Sequence, residues 1–64
     1  MNTLHNIYEI YTKHPETGEG GWGIYWVRAK DKAEVSNFPN FDCILTVNDY
    51  AGRGDIYDIN GKII

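Results

Sequence analysis

Sixty-four residues, 42% of them apolar and including two Trp, five Tyr and two Phe, make a single small domain (1–64) with too much apolar content for disorder. Six Lys and Arg against nine Asp and Glu leave a net charge of -3, spread along the chain, which disfavours non-specific nucleic-acid binding, since that draws its affinity from a basic patch. The single Cys43 excludes an internal disulfide, and the lack of a Cys/His cluster argues against structural zinc.

A chain of this size buries only about 60% of its unfolded surface, so self-association or partner binding is the expected reinforcement. No apolar run approaches the roughly 18 residues that span a bilayer. Met1–Asn6 also lacks the basic start and apolar core of a secretion signal, and a cytoplasmic location is expected.

In chain order, Ile7–His14 is rich in β-formers and reads as the first strand, with Tyr8, Ile10 and Thr12 on one face and Ile7, Glu9, Tyr11 and Lys13 on the other. Pro15 and Gly18 then supply the chemistry of a hairpin turn. Gly21–Ala29 is the second strand. Trp22, Ile24 and Trp26 share one face, Tyr25, Val27 and Ala29 the other, and neither face is polar. The two strands are expected to pair antiparallel.

Asp31 is a good helix N-cap, and Glu34 stands where a capping-box partner would. Pro39 disfavours helical geometry at Phe38, so the helix is limited to about two turns, Lys32–Asn37. Phe41–Val47 is the third strand. Its alternation predicts Phe41, Cys43, Leu45 and Val47 in the core beneath the helix, and Asp42, Ile44 and Thr46 outside. Residues 48–54 read as a loop, and Asp55–Ile59 returns through Asn60-Gly61 to Lys62–Ile64 as a last hairpin. The expected fold is α+β: a mainly antiparallel four-stranded sheet (β-β-α-β-β) with one short helix on one face. The geometry leaves open whether the third strand lies parallel to the second.

Catalytic equipment is sparse, and the chain is read as a non-enzyme with no catalytic residues, metal or cofactor. Ser36, His5 and His14 lack the spacing of a nucleophile, base and orienting group. Cys43, alternating with Leu45 and Val47, reads as a buried small residue rather than a nucleophile. Asp49, Arg53 and Asp55 border one loop and define an alternative small-molecule or ion site, although the spacing matches no calcium loop. Arg53-Gly54-Asp55 reads as a chance occurrence of an integrin-binding tripeptide. Gly18–Gly23 opens a strand, so it does not cradle phosphate on a helix.

The aromatics remain. Tyr8, Tyr11, Trp22, Ile24 and Trp26 are the expected interface residues, because Trp and Tyr dominate interface energetics. The expectation is a non-catalytic protein-binding module, a small inhibitor or adaptor of the phage or mobile-element accessory kind. It would act through an aromatic sheet face or an unpaired sheet edge, on a protein partner or on itself as a homodimer, with no membrane role. The alternative is a single-stranded nucleic-acid binder that uses the aromatics with Arg28, Lys30 and Lys32.

Overall fold

A computed structural model describes residues 5–64. Its elements are β1 (Asn6–Thr12), β2 (Gly23–Ala29), the helix α1 (Lys32–Val35), β3 (Phe41–Val47) and β4 (Ile56–Tyr57). In space the strands lie in the order β3-β1-β2-β4. β1 is antiparallel to both β2 and β3, while β4 runs parallel to β2. The protein is thus α+β with one short helix, but its sheet is mixed rather than antiparallel throughout. β3 runs in the same direction as β2, with β1 between them.

Local chemistry explains the first half of the chain. The β1–β2 hairpin closes where His14 N–H donates to Glu19 O at 2.8 Å and Gly18 N–H donates to His14 O at 2.9 Å. Gly18 adopts φ 74°, a conformation that costs glycine no Cβ clash. At the helix start, Glu34 N–H donates to the Asp31 carboxylate at 2.8 Å while the Glu34 carboxylate accepts from Lys30 N–H at 2.6 Å. The expected capping residues are therefore both used. The regular helix is a single turn that runs on through Asn37 and Phe38 by bonds to Glu34 O and Val35 O, each 3.0 Å.

The core lies between the sheet and α1. Tyr8, Ile10 and Thr12 from β1 meet Val27 and Ala29 from β2, roofed by Val35 and Phe38. Phe41, Ile44, Tyr57 and Ile59 pack around them. Periodicity grouped Tyr8 with Ile10 and Thr12, and Val27 with Ala29, and the structure puts both groups in the core, Tyr8 included.

β3 departs from expectation. Its register against β1 slips twice, between Glu9 and Ile10 and between Tyr11 and Thr12, so that Ile10 faces Ile44 and Thr12 faces Phe41 while Tyr11 faces Cys43. Each β-bulge adds one residue and reverses the facing pattern beyond it. Phe41 and Ile44 therefore both reach the core, and Leu45 is 38% exposed. Cys43 is exposed too, which corrects its assignment as a buried residue.

The position of β4 follows from the connection before it. Asn48, at φ 57°, turns the chain out of β3, and its side chain and backbone clamp Ile7 on both sides. Asn48 Oδ1 accepts from Ile7 N–H at 2.9 Å, and Asn48 N–H donates to Ile7 O at 2.7 Å. The following loop carries the chain from the β3 edge to the opposite edge beside β2. There Tyr57 packs edge-on against Tyr25, ring centroids 5.1 Å apart, completing the aromatic side of the core. The expected last hairpin forms through a Tyr57–Ile63 bridge and an Asp58 N–H to Lys62 O bond of 2.7 Å.

Candidate functional site

The sheet face away from α1 carries three cross-strand rows set by the register. Ile24, Tyr11 and Cys43 form one; Trp26, Glu9 and Thr46 the next; Arg28 and Ile7 the third. Directly opposed residues in antiparallel strands share a face and touch. In the middle row the Thr46 hydroxyl donates to the Glu9 carboxylate at 3.1 Å, giving that charge a fixed partner.

The loop after β3 covers part of this face. Tyr50 packs edge-on against Trp26, centroids 5.2 Å apart, and its hydroxyl donates to Gly54 O at 2.6 Å, which closes the loop on itself. Trp26 is consequently half-buried within its own chain. Among the described residues the row of Ile24, Tyr11 and Cys43 has no such cover: Ile24 is 55% exposed and Cys43 is open. Beside it, β3 forms a sheet edge whose Leu45 and Val47 are exposed.

The five expected interface residues do not form one surface. Tyr11, Ile24 and Trp26 share the outer face, but Tyr8 is 3% exposed and belongs to the core under α1, a correction that follows from its place opposite Val27. Trp22 precedes β2 and is 61% exposed. Instead of extending the Ile24–Trp26 row, it packs edge-on against His14 at 4.2 Å and lines a cleft with Tyr25 and Phe38 on the helix side. Sequence alternation missed this because Gly21 at φ 70° breaks the strand geometry just before Trp22.

The other candidate groups are engaged locally. The Ser36 hydroxyl turns back to donate to Ala33 O at 2.7 Å. His14 Nδ1 accepts from the Glu16 and Thr17 N–H groups at 3.1 and 3.2 Å and serves the turn. Asp55 lines a shallow cleft of about 270 Å³ with Arg28, Tyr50 and Ile56, which Asp49 and Arg53 do not enter. Among the described residues no group of three His, Cys, Asp or Glu side chains could hold a metal ion. Arg28, Lys30 and Lys32 are all exposed, yet the Trp26 ring that would stack a base beside them lies against Tyr50.

The backbone N–H of Lys62, donating at 3.0 Å, holds the Asp58 carboxyl below the usual carboxylate range, helped by the Asn60 N–H at 2.8 Å. That serves the hairpin. Among the described residues no helix is long and apolar enough to cross a membrane. Fold and site together define a small mixed-sheet α+β domain in which, among the described residues, nothing covers the row Ile24–Tyr11–Cys43. No protein-family model, curated protein or solved structure matches the chain.

Proposed function

We propose that this chain is a non-catalytic protein-binding module that docks through the outer face of its sheet, by the row Ile24–Tyr11–Cys43. The observation that carries this reading is that Ile24 stands 55% exposed in an apolar cross-strand row, while the adjacent Trp26 row is covered by the chain's own Tyr50. An uncovered apolar row flanked by polar groups, here Glu9 and Thr46, has the make-up of an interface centre and rim. The face is a better docking surface than the β3 edge. Two bulges in β3 break the straight run of backbone groups that an added strand needs, a known protection against edge pairing.

The partner is a protein surface that offers an aliphatic or aromatic side chain to the row; a second copy of this chain meets that description. Sedimentation over a range of concentrations, together with affinity capture from the native cell, compares wild type with Ile24→Glu. A specific complex or self-association lost in the variant, with the circular dichroism unchanged, is the expected result. Equal behaviour of the two proteins in both assays would remove the row from the interface.

A further inference from the structure

On the helix side, an open cleft of about 260 Å³ is lined by Trp22, Tyr25, Phe38, Pro39, Asn40 and Asn60, with Lys13 at its rim. Its floor is aromatic, the Tyr25 and Phe38 rings lying 5.3 Å apart. Its wall is Trp22, most of whose indole surface meets solvent. That ring is held upright by His14, itself fixed by the two turn N–H groups described above, so the cleft is formed before any ligand arrives.

The hydrogen-bonding balance of the cleft selects the ligand. Lys13 N–H donates to Asn40 O at 2.7 Å and Trp22 N–H to Thr12 O at 2.9 Å; Asn60 N–H donates to the Asp58 carboxylate at 2.8 Å. Those bonds use backbone groups. The indole N–H of Trp22, the ammonium of Lys13 and the side-chain amides of Asn40 and Asn60 take no internal partner among the described residues. The first two are donors with no acceptor capacity. The cleft thus combines aromatic ring faces with an excess of donors, one of them positively charged.

A matching ligand is apolar, rich in acceptors, poor in donors, and negative beside Lys13. A sugar is a poorer match, since every hydroxyl that accepts from these groups also brings a donor that Trp22 and Lys13 cannot accept. A polyproline II segment fits, because it presents ring surfaces and a row of carbonyls with no N–H groups at its prolines, and it loses little entropy on binding. We propose that this cleft binds a proline-rich peptide in the polyproline II conformation, with an acidic residue of the peptide against Lys13. This surface is separate from the outer row, and neither proposal depends on the other.

The test is titration with a synthetic polyproline peptide of about ten residues carrying one central glutamate, followed by tryptophan emission and by calorimetry. Saturable binding with a dissociation constant below about 1 mM is expected, with a blue shift as Trp22 is covered. Trp22→Ala should weaken binding at least about tenfold. Lys13→Glu should weaken the glutamate peptide and improve a lysine-bearing one, and it keeps the test decisive if Trp22→Ala does not fold. Leu45→Ala, at the exposed β3 edge and outside the cleft, should bind as wild type. Absence of saturation, equal binding of a glycine-serine peptide of the same charge, or full affinity in folded Trp22→Ala would each overturn the proposal.

Discussion

The double slip of β3 can be tested by truncating two neighbouring residues, because plain alternation and the observed register make opposite predictions for Ile44 and Leu45. Ile44 packs against the buried cluster around Ile10, whereas Leu45 is 38% exposed at the bulge. Truncating either to alanine removes three carbon groups, worth about 0.8 kcal/mol each when fully buried. Ile44 is partly buried, so the transfer loss is about 1 to 2 kcal/mol, to which a cavity adds. Leu45 keeps much of its surface in water, and its truncation should cost under about 1 kcal/mol. A domain of this length holds roughly 3 to 10 kcal/mol in total, so the difference is easily resolved in urea midpoints at constant slope. Ile10→Ala, at the fully buried centre of β1, sets the upper end at about 2 to 5 kcal/mol. A larger loss from Leu45→Ala than from Ile44→Ala would refute the register and restore plain alternation.

Asp31→Ala removes the N-cap bond to Glu34 and should cost about 1 kcal/mol, read as a lower midpoint with the strand signals intact. The Asp58 carboxyl is held below its unfolded pKa, so its support of the last hairpin is present above the unfolded value and is lost as pH falls through the acid range toward the folded one. Amide resonances of Asn60, Gly61 and Lys62 should therefore shift together with that titration, and in Asp58→Asn they should lose this pH dependence. Tyr50→Ala uncovers the Trp26 ring, and its emission should move to the red and become more quenchable by acrylamide; an unchanged spectrum would place the loop elsewhere.

The parts of the fold that were legible in the sequence are those fixed by local chemistry. Alternation in β1 and β2 grouped Ile10 with Tyr8 and Val27 with Ala29 as the structure does, but it did not show that Tyr8 lies in the core rather than at an interface. The Asp31–Glu34 cap, the Pro15–Gly18 turn and the Asn60-Gly61 hairpin each form where turn and cap residues called for them. β3 misled for a specific reason. Ile44 is apolar within the face that alternation assigns to solvent, so the segment satisfies either register, and only pairing with β1 decides between them. The parallel placement of β4 was equally invisible, since it depends on the Asn48 clamp and on Tyr57 reaching Tyr25 across the sheet. At the site, the shared face of Ile24 and Trp26 was legible, but alternation alone did not choose between Tyr8 and Tyr11 as their neighbour on β1. The covering of Trp26 by Tyr50 was not, because those residues lie far apart in sequence and only the loop's path joins them.

If the row Ile24–Tyr11–Cys43 is an occupied surface in the working protein, Cys43 makes its occupancy directly measurable. The thiol is exposed in the isolated chain, so a maleimide should label it quickly in dilute purified protein. In the native cell, or at high concentration if the partner is a second copy, labelling should slow as the row is covered, and Ile24→Glu should restore the fast rate. Labelling that is equally fast in dilute protein, concentrated protein and the native cell would contradict it.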